Sequence, residues 1–138
     1  MNPDDPVLAG KPEDERWLRR AIELSRQSRE TGKHPFGALV VDAAGRHLAV
    51  GCNAFDSDCT GHAEMNAVRA AHTFDAAALA GATLFSSAEP CAMCSGAIYW
   101  SGIGRVVYAL SETRLLEITG AHPANLTLSL PCREVFAR

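Results

Sequence analysis

With 138 residues, 47% of them hydrophobic, the chain is long enough to bury one substantial core and too short to divide comfortably into two. A charged fraction of 21% and a net charge of −3 exclude disorder driven by self-repulsion and a broad cationic field aimed at nucleic acid. The opening MNPDDPVLAG lacks a basic start and a long apolar run, no segment has the apolar length of a membrane span, and the five cysteines are odd in number, so a cytoplasmic protein is expected whose paired cysteines bind metal.

One domain over residues 1–138 is expected, with 1–12 a loose leader containing Pro3, Pro6, Gly10 and Pro12. Glu13 to Thr31 carries Trp17, Leu18, Ala21, Ile22 and Leu24 at helical spacing, and Gly32 ends that helix. Its mixed charges, Arg16, Arg19, Arg20, Arg26 and Arg29 among Glu13, Asp14, Glu15, Glu23 and Glu30, read as a solvated face, since a nucleic-acid footprint is dominated by one sign. FGALVVD (36–42) and HLAVGCN (47–53), joined through AGR (44–46), predict a β-hairpin.

HAEMNAVRAAHTF (62–74) has the alanine and methionine content of a helix, ATLFSS (82–87) is a short strand, and CAMCSGAIYW (91–100) is a helix entered after Pro90. GRVVYAL (104–110) is another strand, and SETRLLEI (111–118) supports one or two helical turns. In the closing segment, 119–138, Leu126, Leu128 and Leu130 alternate with Thr127 and Ser129, which suits a strand or extended arm.

The residues that carry chemistry are His62, Glu64, Cys91 and Cys94. Cys91 and Cys94 are three apart and share one helix face, at a helix start whose amides favour thiolates. Alone, such a pair also fits a redox couple or half of a structural zinc site. Joined by His62, it supplies one imidazole and two thiolates for one zinc ion per subunit and leaves the fourth tetrahedral position to water, with Glu64 free to move that water's proton. Backbone amides near Cys91 are candidates for stabilising the negative charge of a tetrahedral intermediate. The competing reading is a closed zinc site with Cys59 as fourth ligand, which leaves Glu64 without a task. Cys52 and Cys132 are expected as small packed hydrophobes, and His34, His47, His72 and His122 as surface or satisfied residues.

H-A-E at 62–64 with P-C-A-M-C at 90–94 matches the H-x-E and P-C-x-x-C signature of zinc deaminases. Together HPFGALVV, HAE, EPCAMC and GAIYWSGIGRVVYA resemble the cytidine deaminase superfamily, in its guanine deaminase and tRNA adenosine deaminase branch, over about residues 13–114. The resemblance implies an α/β fold, a three-layer α/β/α sandwich around a mixed five-stranded sheet, and a homodimer with its active site near the subunit interface. It maps a base-binding asparagine onto Asn53, a ring-lining position onto Phe36, backbone contacts onto Ala63, and a family position before the proline onto Glu89.

Trp100, in GAIYW, resembles the bacterial guanine deaminases and suits stacking on a heterocycle, or else packing in the core. Guanine deaminases carry an acidic residue shortly after the fourth strand, where this chain has Arg114, so Glu112, Glu117 or Glu134 would have to read a guanine edge. The expected activity is hydrolytic removal of an amino group, with release of ammonia, from a free nucleobase or related amino-heterocycle. The alternative is adenosine-to-inosine editing of tRNA.

Overall fold

The computed structural model describes residues 10–120 and 130–137. Helix α1 (Asp14–Glu30) starts with Asp14 and Glu15 and ends with Arg29, each charge opposing the nearby end of the helix dipole. Its outer face holds Arg19 against Glu15 at 2.7 Å, and Arg26 against both Glu23 and Glu30. That is the solvated face the alternating signs predict. Gly32, at φ +83°, lets the chain leave the helix through a conformation that β-carbons disfavour.

Strands β1 (Gly37–Val41) and β2 (His47–Cys52) form the expected antiparallel hairpin, with Gly37 opposite Cys52 and Val41 opposite His47. Asp42 Oδ1 accepts the amides of Ala44 and Arg46 at 3.0 and 2.7 Å and fixes the turn. Strand β3 (Thr83–Ala88) lies antiparallel to β1, and β4 (Arg105–Leu110) lies parallel to β3, reached through helix α4 (Ala92–Ser101). The mixed sheet runs β2-β1-β3-β4.

The sheet thus has four strands among the described residues, not the five that the resemblance implied. After β4 the Ser111 hydroxyl caps helix α5 (Glu112–Thr119) by accepting the Arg114 amide at 3.1 Å, which turns the chain into a helix there. Residues 132–136 form a further short helix, described below. The leucine alternation that suggested a strand begins at 126 and falls mostly outside the described residues, as does most of the leader.

Helix α2 (Ala63–Ala70) continues as a 3₁₀ turn over Ala71–Thr73, so the predicted helix tightens in its last turn. Two short helices were not read from the sequence, α3 (Ala76–Ala80) and α6 (Cys132–Phe136). The signal for α3 was present in Asp75, whose carboxylate accepts the Ala78 amide at 2.8 Å ahead of an alanine run.

Strand alternation divides the core into the two sides of a sandwich. Leu39, Val41 and Phe85 meet Ala21 and Leu24 of α1, while Ala38, Val40 and Leu84 meet Ala63 and Ala67 of α2, Leu79 of α3 and Ile98 of α4. Gly51 lets α2 lie directly on β2, since a β-carbon there would stand 2.1 Å from the Ala63 carbonyl oxygen. No helix among the described residues is long and apolar enough to cross a membrane.

Candidate metal centre and active site

His62 and Cys91 occupy equivalent places: each is the N-cap residue of its helix, α2 and α4, with extended backbone and a side chain that makes no capping hydrogen bond. N-cap side chains usually accept an amide of the first turn. Here both turn toward one point instead. Cys94 sits one turn into α4 and is fully buried.

Asn66 fixes the approach to His62, its Nδ2 donating to the carbonyl of Cys52 at 2.8 Å and, more weakly, of Gly61 at 3.4 Å. It ties α2 both to the end of β2 and to the loop before it. Sequence reasoning passed over Asn66, whose only signal was a polar side chain inside an alanine-rich helix.

The donor atoms of His62, Cys91 and Cys94 all lie within 4.8 Å of one another. His62 Nδ1 is 3.5 Å from Cys91 Sγ and 3.6 Å from Cys94 Sγ. A single ring nitrogen cannot bond two sulfurs well at once, but near-equal spacings are what a shared ion requires. Tetrahedral zinc, with bonds of about 2.05 Å to nitrogen and 2.3 Å to sulfur, separates the two donors by roughly 3.5 Å. The donor set therefore fits zinc in both kind and spacing. Cys59 is exposed and outside this group, so the described residues offer three ligands and no fourth.

Electrostatics agrees with that fit. The Cys94 thiol and then the His62 ring stabilise the Cys91 thiolate and bring its pKa down to about 4. The Cys94 thiol is pushed up, first by its bond to Cys91 and then by burial. Two sulfurs left to themselves thus share one negative charge, whereas a dication would stabilise both. The hydrogen bond to Cys91 raises the pKa of His62 against the effect of its burial.

Glu64, in the first turn of α2, is only 6% exposed and accepts the Ser86 hydroxyl on Oε1 at 2.8 Å. Burial pushes its carboxyl above the usual carboxylate range. A buried carboxyl beside a metal-binding triad, and not part of it, can take and return protons.

Residues 11–110 match the model of the cytidine and deoxycytidylate deaminase zinc-binding region. The chain belongs to this deaminase family. It is 45% identical over 104 residues to a probable cytosine deaminase of Schizosaccharomyces pombe, covering 75% of this chain and 64% of that one. To a tRNA-specific adenosine deaminase of Haemophilus influenzae it is 39% identical over 102 residues, covering 72% and 59%. The solved guanine deaminase of Bacillus subtilis superposes with a TM-score of 0.69 at 37% identity, covering 76% and 69%. The chain thus spans less than two thirds of the first two relatives.

The other residues mapped from the deaminase family divide into two groups. Asn53 directly follows β2, is 5% exposed, donates its amide to the Phe36 carbonyl at 3.3 Å, and accepts the Phe55 amide on Oδ1 at 2.9 Å. Its Nδ2 is left as the donating end. Phe36 is half-buried against the α2 side of the core, and Ala63, fully buried, opens α2 with an amide that has no acceptor within the helix.

Glu89 and Trp100 form the second group. Both Glu89 oxygens face backbone amides, Oε1 that of Glu112 at 3.3 Å and Oε2 that of Cys132 at 3.1 Å, so Glu89 fastens α5 and α6 beside the Cys91 segment. Trp100 lies at the far end of α4, about 9 Å along the axis from Cys94 at 1.5 Å per residue. It is 85% exposed and set edge-on to Tyr99, so it is not a core residue.

Arg114 pairs with Glu117 at 2.8 Å on the exposed side of α5. Glu112, by contrast, is half-buried, and burial, then the charges of Glu89 and Cys91, raise its pKa. Cys132 is buried and Cys52 packs on the α1 side of the core, as expected of small apolar residues.

Proposed function

We propose that this chain is a zinc-dependent aminohydrolase that removes an exocyclic amino group from a free nucleobase or related amino-heterocycle and releases ammonia. The observation that carries the reading is the buried Glu64 carboxyl beside a zinc-fitting triad with no fourth ligand among the described residues. When bound, zinc supplies the Lewis acidity that makes water a nucleophile at neutral pH. Glu64 takes one proton from that water and delivers it to the ring nitrogen, then carries the second proton from the same oxygen to the amine, which leaves as ammonia. Asn53 presents its Nδ2 to an acceptor on the ring, Phe36 lines the ring's face, and first-turn amides of α4 stabilise developing negative charge.

Free bases are favoured over tRNA by the 45% identity to the probable cytosine deaminase and by the net charge of −3. Favouring tRNA are the 39% identity to a tRNA-specific adenosine deaminase and the absence of an ion pair at Arg16 and Arg20 among the described residues. Both arginines stand on α1, however, which covers the face of the sheet opposite α2. Within the base class, Glu112 is the carboxylate we assign to reading an N–H edge of guanine type, since Glu117 is engaged with Arg114. The exposed Met93, Tyr99 and Trp100 on α4 support a homodimer covering that helix.

Ammonia release from guanine, cytosine, adenine, isocytosine and aminotriazines by the zinc-loaded protein tests the reading. At least one should turn over, and Glu64→Gln should keep its zinc while turnover falls by about 10²–10⁴-fold. A zinc-loaded protein inert on every compound sinks the base reading. Deamination of tRNA, with binding that weakens steeply in salt, would replace it.

A further inference from the structure

We propose that Ser86 is a positioning residue for Glu64: its hydroxyl occupies Oε1, fixes the rotation of the carboxyl group, and leaves Oε2 as the oxygen that carries the proton. The catalytic half of this rests on the aminohydrolase reading above, and the structural half does not.

Ser86 lies in β3, flanked by Ala38 of β1 on one side and Tyr108 of β4 on the other, and is 1% exposed. A strand held by ladders on both sides has little freedom, so the hydroxyl is a fixed point. Alternation sends Ser86 to the same face as Leu84, where the buried residues Ala38, Val40, Ala63, Ala67 and Ile98 are all apolar. A hydroxyl buried in such a layer is unfavourable unless it is hydrogen-bonded, and an alanine would incur no such cost. Its partner is Glu64 Oε1 at 2.8 Å. A carboxylate only accepts, so serine donates.

That donation assigns different tasks to the two carboxyl oxygens. The Ser86 proton takes one lone pair of Oε1 and makes that oxygen the less basic of the two, whereas Oε2 keeps both of its lone pairs, and so the transferable proton goes to Oε2. During hydrolysis Oε2 receives a proton from water and passes it to the ring nitrogen, and a second proton follows to the leaving amine. Water's oxygen ends as the carbonyl oxygen, ammonia leaves, and Ser86 keeps its own proton throughout.

The test compares wild type, Ser86→Ala and Ser86→Thr, each zinc-loaded, by crystal structure and by steady-state kinetics. Wild type and Ser86→Thr should show one Glu64 conformer, while Ser86→Ala should show a rotated or split carboxyl with full zinc content and a melting temperature close to that of wild type. On the best substrate, Ser86→Ala should lose tenfold or more in kcat with KM within twofold, and Ser86→Thr should recover most of it. A Ser86→Ala protein that keeps the wild-type Glu64 conformer, keeps its kcat, or loses activity only in step with zinc overturns the proposal. So does a folded, zinc-loaded Ser86→Thr that recovers nothing. If wild type turns over no compound, the function reading fails, and the crystallographic comparison still decides the role of Ser86.

Discussion

Replacing Asp14 with asparagine tests how the first helix is held to the sheet. Asp14 Oδ1 and Oδ2 face Arg105 Nη1 and Nη2 at 2.8 and 2.6 Å, and Oδ2 also accepts the Lys11 amide at 2.7 Å. The two side chains are only 8% and 20% exposed, so the asparagine would leave a largely desolvated guanidinium without its counter-ion. Breaking one side of a fully buried pair costs about 3–5 kcal/mol, and the partial exposure of Arg105 brings the expected cost to roughly 2–4 kcal/mol. At a few degrees per kcal/mol for a domain of this size, that is a fall of about 8–15 °C in melting temperature at pH 7.

The pH dependence has a definite sign. The bidentate bond from Arg105 holds the Asp14 carboxyl below its ordinary 3.8, so its contribution is complete above that value and is lost as pH falls through the lower folded pKa. Thermal melts of both proteins between pH 7 and pH 2.5 should therefore show a constant gap down to about pH 4, narrowing below it. A gap under 1 kcal/mol at pH 7, or one that widens in acid, would refute the assignment of stability to this pair.

Three further outcomes are expected. Gly51→Ala should fail to fold or melt far below wild type, because the added carbon meets the Ala63 carbonyl at 2.1 Å, and a soluble variant with a native melt would show that α2 can retreat from β2. Glu89→Gln should raise amide hydrogen exchange in Glu112–Thr119 and Cys132–Phe136 more than in α1, since one carboxylate bonds the first amide of both helices; uniform exchange would remove the fastening role. Cys91→Ser should take bound zinc, measured by elemental analysis, from about one ion per chain to well below that, whereas Cys59→Ser should leave it unchanged. Equal losses in the two variants would restore Cys59 as a ligand.

Much of this was legible in the sequence because the signals were local. The hairpin turn is written in Asp42 and Gly45, the end of α1 in Gly32, and the triad in two short motifs whose spacing means the same thing in any context. What escaped depends on contacts between distant segments. Nothing near Ser86 announces that its partner is Glu64, 22 positions earlier, and nothing near Glu89 announces that its oxygens are taken by Glu112 and Cys132. For Trp100 the sequence left ring stacking and core packing open, and its 85% exposure excludes only the second, because nothing local tells a buried aromatic from an exposed one.

The position of the ligands explains why the fold and the metal belong together. His62 and Cys91 each begin a helix, and neither makes the side-chain cap hydrogen bond that most helices have. Both positive helix ends are instead directed to one region, where they favour the Cys91 thiolate and any negative charge that develops beside it. Glu64 enters the same region from the first turn of α2, buried and held from the sheet by Ser86. Held by His62, Cys91 and Cys94, a zinc ion would keep both sulfurs as thiolates, whose negative charge would stand where cap acceptors usually do.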